Sequence, residues 1–402
     1  MTSFKYEAVD YNGNYQKGKF DAYNLDLAKA RLRDEGLRVE TIEEVPQTIW
    51  NKEIYFGSPV KNRDFVVFLQ QFAALLKAGL TIVQSLSILR EQTKQKYLKE
   101  ALYYIEIDMR QGSSLTNALK KQPHIFSNIF INMVHSGESS GALQETLDKL
   151  ADYYQKQYKT KQKIQSTFAY PATVSVVAIG VVIFLMMYVV PEFVSMFAQF
   201  DAELPVITQF VLGLSDLFTS YWLLLLFISI LVVLMFIMAF KRESSRYRID
   251  YYLLKTPGFG TLVLKSNMAQ LSRTLSSLLY NNVPVIEALK LTGQTINNRI
   301  ISETLDEAQV ALKKGQSMVK PMRDHWAYPY LVTQMIEVGE QTNALPEMLE
   351  QVADFYEEDV DTATEQFKSL LEPLLIVSLS LIVGTIVLAI IIPMFDLFNQ
   401  IN

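Results

Sequence analysis

The stretch Gly13-Asn14-Tyr15-Gln16-Lys17-Gly18-Lys19-Phe20 carries the two glycines and the lysine of a loop that wraps phosphate with backbone N–H groups. Such a loop also needs a Ser or Thr after the lysine to hold magnesium, and Phe20 stands there instead. Polarity alternates on both sides of Asn12-Gly13-Asn14, which predicts a hairpin turn rather than a nucleotide site. His124, His135 and His325 are the only histidines and lie too far apart for a two-histidine metal helix. There is no cysteine, so thiolate chemistry lacks a handle. The expectation is a protein with no catalytic residue, no metal and no cofactor, whose energy comes from a partner.

The residues that stand out instead occur twice. At an offset of 203, Phe68-Leu69-Gln70-Gln71 falls on Leu271-Ser272-Arg273-Thr274, and Gly112 falls on Gly315. After a slip of one residue, the segment from Gly137-Glu138 through Gly141 to Leu143 falls on that from Gly339-Glu340 to Leu345, and Pro171 and Pro191 fall on Pro373 and Pro393. A carboxylate at each turn, Glu138 or Glu340, is placed to accept orphan backbone N–H groups at the start of the last helix of its repeat. The alternative is that these turns form a contact surface for a partner.

Three stretches free of Asp, Glu, Lys and Arg are long enough to span a bilayer as helices: Pro171 to Val190, Trp222 to Phe240 and Leu374 to Ile392. They contain no Asp, Glu, Lys, Arg or His, which argues against an ion or proton pathway. Lys159, Lys161 and Lys163 precede the first span, and Lys241, Arg242, Arg246 and Arg248 follow the second, whereas the loop from Pro191 to Tyr221 has no Lys or Arg. By the positive-inside rule the loop faces outward, the N-terminus is cytoplasmic and the C-terminus lies outside. Ser215 in that loop is expected to be accessible from outside. Tyr170-Pro171 and Glu372-Pro373 mark where the first and third spans begin, and Pro191 and Pro393 where they end.

Helical periodicity dominates both repeats, as in Phe65, Phe68, Leu69, Phe72 and Leu271, Leu275, Leu278. The fold class is therefore mainly α: an integral membrane protein with three transmembrane helices, two repeated cytoplasmic bundles of about six helices, and a small N-terminal α/β domain. That domain takes residues 1–50, with a hairpin, a helix from Ala22 to Gly36 and a short strand. The order continues with a linker (51–62), repeat 1 (63–167), the first span (168–190), an outer loop (191–221) and the second span (222–240). A cytoplasmic linker (241–263), repeat 2 (264–371), the third span (372–393) and an outer tail (394–402) complete it.

The duplicated helical domain, the three spans and the N-terminal appendage together resemble the GspF/PilC family, the inner-membrane platform proteins of type II secretion systems and type IV pili. The residues that carry the likeness are the Gly-Glu turns, Tyr170-Pro171, Glu372-Pro373, Val190-Pro191-Glu192-Phe193, Ile392-Pro393-Met394-Phe395 and Glu203-Leu204-Pro205. The stretch Phe197 to Leu204 is slightly more similar to pilus members. The resemblance implies a bacterial inner-membrane protein that is not an enzyme and helps a cytoplasmic hexameric ATPase extract pilin or pseudopilin subunits from the bilayer. It implies further partners in a retraction ATPase and inner-membrane alignment proteins, a homo-oligomer, no direct nucleic acid binding, and a pilin groove at Phe193 and Phe197. The competing class is a membrane receptor or transport component whose duplicated domain binds a regulator.

The repeats differ in charge. Residues 61–170 hold 15 basic and 9 acidic residues, a net of +6, while residues 264–372 hold 9 and 16, a net of -7. Opposite fields of this size suit pairing of the repeats with each other or with different partners. Lys156, Lys159, Lys161 and Lys163 could equally meet anionic headgroups.

Overall fold

A computed structural model of the chain describes residues 2–11, 13–22, 25–34, 36–45, 59–197 and 205–401. It comprises two compact units, Met1–Pro59 and Val60–Asn402.

In the first unit, strands β1 (Thr2–Val9) and β2 (Tyr15–Ala22), helix α1 (Leu25–Asp34) and strand β3 (Arg38–Val45) form an antiparallel sheet of order β2-β1-β3 with the helix packed on it. The hairpin turns where the Asp10 carboxylate accepts the Asn14 N–H at 2.9 Å and Gly13 takes φ +82°. Gly18 sits in mid-strand opposite Tyr6, and Lys17 pairs with Glu7 at 2.6 Å, so the glycine-lysine stretch is strand and not a phosphate loop. Ala28 and Leu32 of α1 cover Phe4 and Ala8. Residues 23, 24 and 35 of the expected helix, and 51–58 of the expected linker, lie outside the described residues.

The second unit opens with six helices: α2 (Asn62–Lys77), α3 (Ile82–Gln92), α4 (Lys96–Arg110), α5 (Leu115–Lys120), α6 (Asn128–Ser140) and α7 (Leu143–Phe184). Their starts follow from the sequence. Thr81 and Gln84 form a reciprocal capping box at α3, and Ser114 and Ser127 cap α5 and α6. A π-helical turn, Leu185–Val189, follows α7, then α8 (Val190–Phe197), α9 (Val206–Ser220), α10 (Trp222–Lys241) and α11 (Glu243–Lys255). The second set of six is α12 (Phe259–Tyr280), α13 (Val285–Thr295), α14 (Arg299–Lys313), α15 (Lys320–Arg323), α16 (Tyr330–Thr342) and α17 (Leu345–Ile401).

Each set buries an apolar face, and the two faces merge. Phe65, Phe72, Phe126 and Phe130 of the first repeat belong to the same continuous core as Leu271, Leu275, Leu289 and Leu305 of the second. Both closing helices leave this core and run on as membrane spans. Leu143–Phe193, Trp222–Ala239 and Leu345–Pro393 are long and apolar enough to cross a bilayer. With 57 residues, α17 is about 85 Å long at 1.5 Å per residue.

The segment between the first two spans is largely helical where described. Residues 198–204, including most of the stretch Phe197 to Leu204 and Glu203-Leu204, lie outside the described residues. Ser215 is buried, donating its hydroxyl to the Met186 carbonyl at 2.6 Å, and so is not the accessible position its place in the sequence suggests.

Candidate functional site

Glu138 and Glu340 lie in the last turns of α6 and α16, where the expected partner was the next helix. Their carboxylates instead reach back to the start of the fourth helical segment of each repeat. Glu138 accepts the Leu115 N–H at 2.7 Å, the Thr116 N–H at 3.0 Å and the Thr116 hydroxyl at 2.5 Å. Glu340 accepts the Met318 N–H at 2.9 Å and the Ser317 hydroxyl. The cap is real but belongs to a segment 22 or 23 residues upstream, because a carboxylate leaving the last turn of one helix is nearest the exposed N–H groups of the antiparallel neighbour's first turn. Burial of Glu138 favours its neutral form, yet the Thr116 and Leu115 bonds and the field of His135 outweigh it and hold the carboxyl below its ordinary value.

The glycines before these carboxylates allow the close crossing that aims them. A Cβ on Gly137 would fall 2.4 Å from Thr146 Oγ1, and one on Gly339 would fall 2.8 Å from Leu345 Cα. Gly141 closes α6 in the left-handed region at φ +74°, and Asn343 does the same for α16 at φ +54°. Leu143 and Leu345 then open the long helices α7 and α17.

Those helices run side by side. Lys156 reaches Asp354 at 3.4 Å and Lys163 reaches Asp361 at 2.9 Å, so two of the four lysines before the first span pair within the chain. Asp354 also takes Arg273, whose buried guanidinium meets Glu357 at 2.8 Å. Burial would lower the Arg273 pKa, but these carboxylates push it up instead. Nearer the spans, Phe168, Phe259 and Phe367 form an aromatic triad with centroids 5.6 to 6.0 Å apart, joining α7, the start of α12 and α17. Nothing in the local sequence announces this triad, since its members lie about 100 residues apart.

Pro171 and Pro373 lie inside α7 and α17, which continue through them, with Tyr170 and Glu372 exposed beside them. At the far ends the prolines have a clearer effect. Proline lacks an N–H, so Pro393 leaves the Ala389 carbonyl without its helical donor. After the π-helical turn, Pro191 likewise leaves Met186 unpaired five residues back. Helix α9 fills both vacancies: Thr208 donates to the Ala389 carbonyl at 2.8 Å and Ser215 to the Met186 carbonyl at 2.6 Å. These two hydroxyls are seven residues apart, about 10 Å along one face of α9, which matches the usual 8–10 Å between packed helices. Val211, between them, completes a small core with Met186, Val190, Ile386 and Ala389. Phe193 is half-buried in α8, and Phe197 ends that helix with its side chain outside the described residues.

This arrangement holds two helix stalks together at two levels, around Lys156, Lys163 and Phe168 and again through α9 near the far ends of the apolar segments. A family model described as type II secretion system (T2SS), protein F, matches residues 68–191 and again 271–393. A second model, for the N-terminal domain of type II secretion system protein F, matches residues 1–43. The type IV pilus assembly protein PilC of Thermus thermophilus is 34% identical over 406 residues, covering 100% of both chains. PilC of Myxococcus xanthus is 33% identical over 99% of this chain and 96% of its own length. The type II secretion system protein F of Xanthomonas campestris is 31% identical over the full length of both.

Proposed function

Since the chain belongs to the family of type II secretion system protein F, which includes the pilus assembly proteins PilC, we propose that it receives a cytoplasmic hexameric ATPase and passes that motor's movement to pilin or pseudopilin subunits in the bilayer. Its role is that of a membrane platform for pilus or pseudopilus assembly. The observation that best supports the coupling is the pair of long helical stretches that begin with α7 and α17. Each begins in a helical repeat just after the Gly-Glu turn and runs through its span without an intervening loop, α7 by way of the π-helical turn and α8, so displacement of a repeat is carried to the far end of the span.

On this reading the repeats are cytoplasmic, the tail after Pro393 is external, and the protein works without catalysis of its own. The basic flanks of the first two spans and the loop without Lys or Arg support that orientation. The exposed ends of α6 and α16 around Glu138 and Glu340 offer the motor a surface. Phe193, with Phe197, offers apolar contact to a pilin helix.

The test is purification of the tagged full chain from its host in mild detergent, followed by mass spectrometry of what comes with it. Recovery of a hexameric ATPase and a pilin is expected; reproducible absence of both overturns the coupling. Orientation is read separately in the cysteine-free background: Asp216→Cys should react with an impermeant maleimide from outside and Ser139→Cys should not.

A further inference from the structure

The two repeats meet through unlike faces. Helices α6 and α7 of the first repeat dock on α12 and α13 of the second. The Tyr153 and Thr274 hydroxyls bond at 3.1 Å, the Ser136 hydroxyl donates to the Asn281 carbonyl, and the Asn128 amide reaches Gln294 at 3.4 Å. A symmetric contact would set the counterparts of these groups against each other as well: Phe355 on Gln71, Val338 on Ala78, Tyr330 on Glu91. It does not. Tyr153 is 3% exposed and its counterpart Phe355 50%; Ile129 is 3% exposed and its counterpart Leu331 37%. Val338 and Tyr330 are exposed too. The other half of the contact is also unused, for Thr274 and Asn281 are buried while Gln71 on α2 and Ala78 just after it are exposed, beside exposed Val67.

The chain therefore presents one joined contact and the two separate halves of a second. We propose that these halves join between molecules: the face of Tyr330, Leu331, Val338 and Phe355 on the second repeat of one copy binds the α2 face of the first repeat of another copy of this chain. The internal contact supplies the template, and charge supplies direction. Within the chain Lys163 pairs with Asp361; the counterparts across the new contact are Glu365 and Lys159, the same pair with its signs exchanged. The net charges of -7 and +6 on the two repeats favour the same approach. One counterpart pair, Glu358 and Asp152, is of like sign, and Asp152 is already neighboured by Lys156 at 3.7 Å. A contact of unlike faces propagates head to tail, and spans held in one bilayer confine it to a rotation about the membrane normal, so it closes as a ring.

The inference concerns the purified chain alone, so it stands or falls separately from recruitment of a motor. Two differently tagged full-length copies, one carrying Phe355→Cys and the other Gln71→Cys, are reconstituted together and treated with a short bis-maleimide. Cross-linking between the two tags is expected, with mixtures carrying the same substitution on both copies remaining uncoupled. Native mass spectrometry should show Phe355→Lys shifting the protein toward monomer, with at least tenfold weaker association and an unchanged melting temperature, while Phe355→Tyr associates normally. A monomeric wild type, or linkage of Phe355→Cys to itself in place of the unlike pair, overturns the proposal.

Discussion

The two helical repeats share a plan and differ in how they hold it. Each places a glycine-carboxylate turn over the start of its fourth helical segment, and each feeds a long helix into the membrane. In the first repeat the amide of Gln70 on α2 donates to Gln155 on α7 at 2.8 Å. The counterparts of those two residues are Arg273 and Glu357, so the second repeat replaces a neutral hydrogen bond with a buried guanidinium ringed by Glu350, Asp354 and Glu357. The difference follows from position. Gln70 faces outward, whereas Arg273 lies under the first repeat, where an unpaired charge would be costly and three carboxylates hold it. An ancestral unit used twice in one chain has acquired an inside copy and an outside copy.

The sharpest break in that comparison is at the helix crossing. Gly339→Ala meets backbone, the Leu345 Cα at 2.8 Å, and Gly137→Ala meets the Thr146 Cβ at 2.7 Å, which rotation of that side chain does not move. We expect each to lose about 3 kcal/mol, read as melting of the purified protein. A clearly smaller loss at one of them would show that its crossing can open where the other cannot.

Next in size are the carboxylate caps. Glu138 accepts three hydrogen bonds and Glu340 two, so Glu138→Gln should cost about 2 kcal/mol and Glu340→Gln less. The sign of the pH effect follows from the depressed Glu138 pKa. Its stabilisation is complete above the carboxyl's unfolded value of 4.5 and disappears as pH falls through the lower folded value. Thermal melts between pH 6 and pH 3, a window chosen around the ordinary carboxylate range of about 4, should therefore fall less steeply for Glu138→Gln than for the wild type.

A smaller effect is expected from converting one repeat's pairing into the other's. Arg273→Gln with Glu357→Gln rebuilds the Gln70–Gln155 pair in the second repeat and should sit within about 1 kcal/mol of wild type, while Arg273→Gln alone is worse because three carboxylates lose their shared partner. A double variant no better than the single would mean that Asp354 and Glu350, not Glu357, dominate. Smallest is Lys163→Ala, which removes a partly exposed pair between the stalks and should cost about 0.5 kcal/mol or less, vanishing in high salt.

The spans, the duplication and the N-terminal hairpin were legible because each is written in local pattern: uninterrupted apolar runs, a repeated spacing, alternation around a glycine turn. Even the one-residue slip has a local cause between Gly315 and Gly339, where α15 has four residues against the six of α5. The partner of Glu138 was less legible. Sequence position pointed to the following helix, whereas the N–H groups it caps arrive through antiparallel packing of α5 and α6. The Phe168, Phe259 and Phe367 triad, and the hydroxyls of Thr208 and Ser215, join segments brought together only by the tertiary fold. Thr and Ser in an apolar helix look unremarkable until the carbonyls left by two distant prolines are placed opposite them.

Those two hydroxyls have a mechanical consequence. Sliding the first span along the third would have to stretch Ser215 from Met186 or Thr208 from Ala389, leaving a buried carbonyl without its hydrogen bond. Axial shear between the spans is therefore blocked, while tilt about the shared α9 remains open. On the function proposed above, a pull on either repeat arrives at the far ends of the spans as the rocking of one stiff two-legged lever.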